Sequence, residues 1–267
     1  MRNRLTNELA VCGFNAVKAL ADTHPESINR LFLREEHLRV FGKACKVLAA
    51  AKRPYKICED EELERICKSP RHQGAVAMIA SPEIPWLTED DLRVWSSAGE
   101  KVLILDDVGN DNNLGAIVRS AAFFGVARVV LPGDDGESLL TTSAYRVAEG
   151  GMERVSFYRV RDVANFLNAA SSSLVVVGAD HRARARLKDL PGLVADERMR
   201  LSGGASASRG LGRTVGVAVV VGNEERGLSA EVKSACSFLV RIPGTGEMES
   251  LNVAQAATLF MHELFSM

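Results

Sequence analysis

The stretch Val215-Gly-Val-Ala-Val-Val-Val-Gly222-Asn-Glu-Glu-Arg-Gly227-Leu-Ser229 decides the fold. Its first residues are almost all apolar, without the polar alternation of a strand that has one wet face. Such a run predicts a strand buried on both sides, as in a parallel sheet covered by helices. The turn that follows lies where α/β proteins bind ligands, beyond the carboxyl end of a strand. Glycine there lets the backbone turn sharply and come close to a ligand. Glu224 either hydrogen-bonds to neighbouring loops or stands as a carboxylate in water.

Working outward, similar apolar runs occur at VLILDD (102–107), ARVVLP (127–132), SLVVVGAD (173–180) and FLVRIP (238–243), with helical patterns between them. Together they predict a parallel α/β sheet from residue 100 to 267. Between Asp189 and Thr214, around Ser202-Gly203-Gly204-Ala205-Ser206, the sequence reads as a long irregular surface insert. Ser81–Gly99, with Pro82 and Pro85, is rich in turn residues and marks a domain boundary. The expected division is a small domain over 1–82, a linker over 83–99 and the sheet domain over 100–267. Within the small domain, Ile28–Leu33, Tyr55–Cys58 and Ala75–Ala80 read as strands. Asn15–Ala21, Glu35–Arg53 and Glu61–Cys67 read as helices, the second with Leu38, Phe41, Cys45 and Leu48 on its apolar face.

Two further segments carry candidate chemistry. Asn113-Leu-Gly115-Ala-Ile-Val-Arg119 enters a helix after the 102–107 strand. Asn113 is read either as that helix's cap or as a site residue, and Arg119 either as solvated or as facing the site. Ile242-Pro-Gly-Thr-Gly-Glu-Met-Glu-Ser250-Leu251-Asn252-Val253 is a strand end, a loop and a helix start. Asn252 followed by Gln255 fits a capping box, and Ser250 is a loop hydroxyl or a site group. Three strand-end loops with small polar residues at one sheet edge make a candidate pocket.

The 267 residues carry a net charge of −1, with 46% hydrophobic and 25% charged side chains, which fits a globular chain rather than a disordered one. No apolar run is long enough to span a membrane and the N-terminus lacks a secretory signal, so a cytoplasmic location is expected. The five cysteines form no C-x-x-C pair and read as reduced, packing residues. His24, His37, His72, His181 and His262 suggest no metal site. Basic residues concentrate between Arg30 and Lys56. Arg39, Lys43 and Lys46 have i, i+4, i+7 spacing and share a helix face, either an ordinary wet face or one that neutralises phosphates.

Taken together, residues 8–265 resemble the SpoU family of SPOUT-class RNA ribose methyltransferases. The resemblance rests on N-x-G-A-I-x-R at 113–119, G-N-E-x-x-G-L-S at 222–229 and I-P-x-x-G-x-x-E-S-L-N-V at 242–253. The N-terminal part is similar to the substrate-binding domain of these enzymes, related to ribosomal protein L30e, through Cys12-Gly-Phe-Asn-Ala-Val17 and Arg71-His72-Gln73-Gly74-Ala75-Val76-Ala77. The resemblance implies an α/β trefoil-knot methyltransferase domain behind an L30e-like α/β domain, acting as a homodimer. The implied reaction moves a methyl group from S-adenosylmethionine to a ribose 2′-hydroxyl of ribosomal or transfer RNA. The implied site comprises Arg119, Ser250, Asn252, Asn113 and Glu224 for catalysis. Gly178, Gly222, Asn223, Ile242 and Leu251 would hold the cofactor, and His72 and Gln73 would touch RNA beside Arg39, Lys43 and Lys46. Family members carry Asp-Pro where this chain has Asn110-Asp111, so a less rigid entry to the first-motif helix is expected. The resemblance makes Arg119 the base. A guanidinium normally stays protonated in proteins, so it would alternatively bind a phosphate and stabilise the developing alkoxide.

Other readings are a catalytically silent RNA-binding protein of the same fold, a base-methylating SPOUT enzyme and a dinucleotide oxidoreductase. The last lacks a G-x-G-x-x-G after its first strand.

Overall fold

The computed structural model describes residues 7–133, 140–203 and 214–265. The chain divides into two compact units. One comprises residues 1–83, 110–119 and 137–154; the other comprises 84–109, 120–136 and 155–267.

The first unit is built on a four-stranded sheet of β1 (Glu8–Cys12), β2 (Ile28–Leu33), β3 (Tyr55–Ile57) and β4 (Ala75–Ala80), in the order β1-β4-β2-β3. β4 runs antiparallel to both neighbours, and β2 and β3 are parallel. The unit's first helices are α1 (Phe14–Thr23), α2 (Leu38–Ala50) and α3 (Asp60–Cys67). Leu63 and Cys67 of α3 enter a core cluster with Ala10, Cys12, Cys58, Val76 and Met78. The expected Glu35–Arg53 helix starts with a 3₁₀ turn, Glu35–His37, before α2. Strand β1 is not evident from the sequence because ELAVC is only five residues long and Gly13 alone separates it from α1.

The second unit carries α4 (Glu89–Ala98), β5 (Lys101–Asp106), β6 (Arg128–Pro132), β7 (Ser156–Val160), α7 (Val163–Ala170), β8 (Leu174–Ala179), β9 (Ala185–Arg186), α8 (Leu190–Leu201), β10 (Gly216–Gly222), α9 (Ala230–Ala235), β11 (Phe238–Arg241) and α10 (Val253–Phe265). Its seven strands run β7-β6-β5-β10-β8-β11-β9, every pairing parallel. Strands this apolar are buried on both faces, and Val217–Val221 are almost wholly inaccessible. Helix α5 (Asp111–Phe123) begins among first-unit residues and ends among second-unit ones; α6 (Thr142–Ala148) belongs to the first unit.

Two expectations are corrected. Ser81–Gly99, read as turn-rich linker, contains α4. Thr88 and Asp91 close a reciprocal capping box at its start, and Trp95, 1% exposed, packs into the core with Val102, Ile104 and Val220. The insert read as irregular from Asp189 begins with α8, started by Pro191 in its first turn. Gly204–Arg213 of that insert lie outside the described residues.

Candidate active site

Register places the strand ends on a common edge. Gly222 pairs with Asp106, Val220 with Gly178 and Gly178 with Leu239. The segments leaving β5, β10, β8 and β11 therefore emerge side by side at the carboxyl edge, the usual location of ligands in open α/β sheets. Gly178, Gly222, Asn223, Glu224, Ile242, Ser250, Leu251 and Asn252 all belong to this second unit.

The turn after β10 is organised by Asn223. Its Nδ2 donates to the Asp107 carbonyl at 3.0 Å, and its Oδ1 accepts the amides of Glu225 and Arg226 at 3.0 and 3.1 Å. The Asn223 carbonyl takes the Gly227 amide at 2.9 Å. Arg226 Nη2 reaches Asp107 Oδ2 at 2.6 Å. Gly222 is obligatory, because a Cβ there would stand 2.5 Å from the Gly227 carbonyl carbon. Farther along, the Ser229 amide donates to Asp106 at 3.3 Å while the Ser229 hydroxyl caps α9. Burial pushes the Asp106 carboxyl above the usual carboxylate range, against the opposing Ser229 hydrogen bond. Asp106 and Asp107 were not singled out from sequence; the signal was two acids ending an apolar run.

Gly178 is buried within β8. A side chain there would meet Leu239 at 2.6 Å and Cys236 at 2.8 Å, so close packing already requires glycine. After β11 the chain opens out. Ile242 is half-buried, and residues 243–252 are exposed and without regular structure. Leu251 is 48% and Met248 81% exposed. The segment ends where Asn252 Oδ1 accepts the Ala254 amide at 2.9 Å, capping α10 as its position suggested.

In the first unit, the cap of α5 is Asn110 rather than Asn113. Its Oδ1 accepts the amides of Asn112 at 2.8 Å and Asn113 at 3.4 Å. Asp111, standing where the family has proline, accepts the Thr141 hydroxyl at 2.6 Å. The entry expected to be loose is thus held by side-chain bonds. Arg119 is exposed and pairs with Glu149 at 3.1 Å; Asn15 bonds the same carboxylate at 3.4 Å. Arg39, Lys43 and Lys46 are exposed on α2, opposite buried Phe41, Ala44, Cys45 and Leu48. His72 is a correction. It is only 4% exposed, and its Nδ1 accepts the Gly74 amide at 3.1 Å, so it shapes the loop from inside rather than offering an edge to RNA. Gln73 is exposed and its Oε1 accepts the Phe14 amide at 2.9 Å. Among the described residues no group of three or more His, Cys, Asp or Glu could hold a metal ion.

The second unit thus defines an α/β domain of the ligand-binding kind, with its motif loops gathered at one strand edge. Residues 100–262 match the SpoU rRNA Methylase family, and residues 10–85 match the RNA 2′-O ribose methyltransferase substrate binding family. Similar relatives include the 23S rRNA (guanosine-2′-O-)-methyltransferases RlmB of Acinetobacter baylyi, 32% identical over 94% of each chain, and of Nitrosomonas europaea, 28% identical over 98% of this chain and 92% of that one. An AdoMet-bound rRNA methyltransferase structure from Sinorhizobium meliloti superposes with a TM-score of 0.69 at 22% identity, over 97% of this chain and 87% of that one, which shows the shared fold. The chain belongs to the SpoU rRNA methylase family. It is accordingly an S-adenosylmethionine-dependent RNA 2′-O-methyltransferase.

Proposed function

We propose that the chain methylates the ribose 2′-hydroxyl of a guanosine in ribosomal RNA, the substrate that the names of its relatives specify. The observation that carries this reading is the emergence of the 222–229 and 242–252 segments from one parallel edge, two strand spacings or about 10 Å apart. S-adenosylmethionine supplies, when bound, an electrophilic methyl carbon on a sulfonium. The residues present fit it: a turn closed so tightly that Gly222 admits no side chain, and an exposed Leu251 offering apolar surface beside open backbone. Backbone at Gly222, Ile242 and Leu251 would hold it. Gly178 would keep β8 flush beneath, and Asn223 would fix the turn.

Transfer of that methyl group to the 2′-oxygen would leave S-adenosylhomocysteine, a neutral thioether, and release the hydroxyl proton, which passes to solvent water. Ser250, Asn252 and Asn113 orient Arg119 or the ribose, and Glu224 orders the neighbouring strand-end loops. Arg119 acts as a cation toward the adjacent phosphate and the developing alkoxide; its exposed pair with Glu149 is one a phosphate can replace. Arg39, Lys43, Lys46 and Gln73 carry RNA on the first unit. A homodimer is supported by the apolar face where α5 ends on α10. There Phe123 is 82% exposed beside Phe124 and His262, and Ser120 bonds Thr258 at 2.7 Å.

The test is ribose-methylation mapping of ribosomal RNA from cells with and without the gene, complemented by wild type or Arg119→Ala. One site should lose its methyl group and regain it only with wild type. In vitro, Arg119→Ala should lower turnover by about 10²–10³-fold while still binding S-adenosylmethionine. Full methylation by Arg119→Ala would refute its role, and an unchanged map would refute the substrate.

A further inference from the structure

We propose that Trp86, Arg159 and Arg161 form a single-stranded RNA platform on the methyltransferase unit, holding nucleotides that flank the methylated one; this rests on the RNA reading above. Trp86 is 42% exposed although it is one of only two tryptophans in the chain, the other being the core residue Trp95. The Arg159 guanidinium lies 4.3 Å from its ring centroid and the Arg161 guanidinium 5.8 Å. The indole has a prepared seat: a Cβ on Gly133 would stand 2.5 Å from its Cη2.

Protecting the sheet edge does not account for the indole. β7 is the outermost strand, and backbone alone covers it: the Leu87 amide donates to the Arg159 carbonyl and the Arg159 amide to the Pro85 carbonyl, both at 2.9 Å. Any residue at 86 would serve that purpose. What tryptophan adds is a large aromatic surface, backed by Arg159 and flanked by the exposed Arg161 guanidinium, the combination that takes a stacked base and a neighbouring phosphate. The one described acid adjoining Arg161 in sequence, Asp162, is committed to capping α7 through the Asn165 amide at 2.6 Å.

Position assigns the role. Pro132 pairs with Val160, and Ile104 with Val130, so Gly133 and Arg161 follow the carboxyl ends of β6 and β7. The platform therefore lies toward the same edge as the candidate pocket: β7 is three strand spacings, or about 15 Å, from β10, and Trp86, bridged to Arg159, is one spacing farther out.

The experiment uses the full chain and an oligouridylate, followed by tryptophan fluorescence and by anisotropy over a salt series. Trp95 is buried, so oligouridylate should quench the emission of Trp86, and Trp86→Phe should remove most of the quenching. Trp86→Ala should weaken binding roughly 5- to 100-fold. Arg161→Gln, an exposed change that leaves the core intact, should lower the salt slope by about one phosphate contact. Absence of quenching in wild type, or unchanged affinity and slope in Arg161→Gln, would overturn the proposal. S-adenosylmethionine binding, measured calorimetrically on the same samples, should be the same in every variant; its absence from wild type would count against the enzyme reading instead.

Discussion

The segments that leave β10 and β11 emerge at one edge of one sheet and are built to opposite plans. Residues 222–229 are tied by Asn223, Arg226 and the Ser229 amide to one another and to the end of β5. Asn223 alone makes three side-chain bonds to backbone, and Arg226 adds an ion pair to Asp107. Residues 243–252 are exposed, with an apolar leucine and methionine in water. The first is a frame whose chemistry is its own rigidity. The second presents surface, continuous with the end of β11 and joined to α10 where Asn252 caps it. A site that held a cofactor and admitted a polymer, as proposed for this edge, would use both.

The contrast can be broken by substitution. Asn223→Ala should have the largest effect on stability, about 1–3 kcal/mol, because the Glu225 and Arg226 amides lose their acceptor; it should weaken S-adenosylmethionine binding as well. Denaturant midpoints and calorimetry check this, and a fully stable variant would show that the frame is redundant. Ser250→Ala should alter stability by no more than about 0.5 kcal/mol, as surface changes do, while slowing methyl transfer at saturating cofactor. A drop in stability matching that of Asn223→Ala would erase the distinction. Smallest is the effect at Asp106. Its carboxyl is raised by burial, so the folded chain takes up this proton at higher pH than the unfolded one. This group's contribution to stability therefore grows as pH falls toward the ordinary carboxylate range. Asp106→Asn, which keeps an acceptor for the Ser229 amide, should raise the midpoint at neutral pH and flatten its rise on mild acidification. A lower midpoint would mean that the negative charge is needed.

Much of this was legible in the sequence because each buried parallel strand announces itself as an unbroken apolar run: β5, β6, β8, β10 and β11 were placed within a residue or two. β7 was missed because SFYRV, an edge strand, alternates like a surface segment. α4 was not legible because Pro82 and Pro85 are turn residues just before it, and its start rests on the Thr88–Asp91 capping box. The motif loops were legible as loops, but not the division of labour between them. That depends on Asp106 and Asp107, more than a hundred residues from Asn223 in sequence, and no local pattern reports such a partnership. His72 was not legible as buried either, because its loop position reads as surface and local sequence does not report burial.

The central claim is that the carboxyl edge of the seven-stranded sheet holds S-adenosylmethionine against the segment after β11. Titrating S-adenosylmethionine into the full chain by calorimetry tests it directly, in wild type and in Leu251→Asp, an exposed change that leaves the fold intact. Saturable binding to wild type that is lost or strongly weakened in a fully folded Leu251→Asp is the predicted result. Absence of binding to wild type, or equal binding to both, would contradict it.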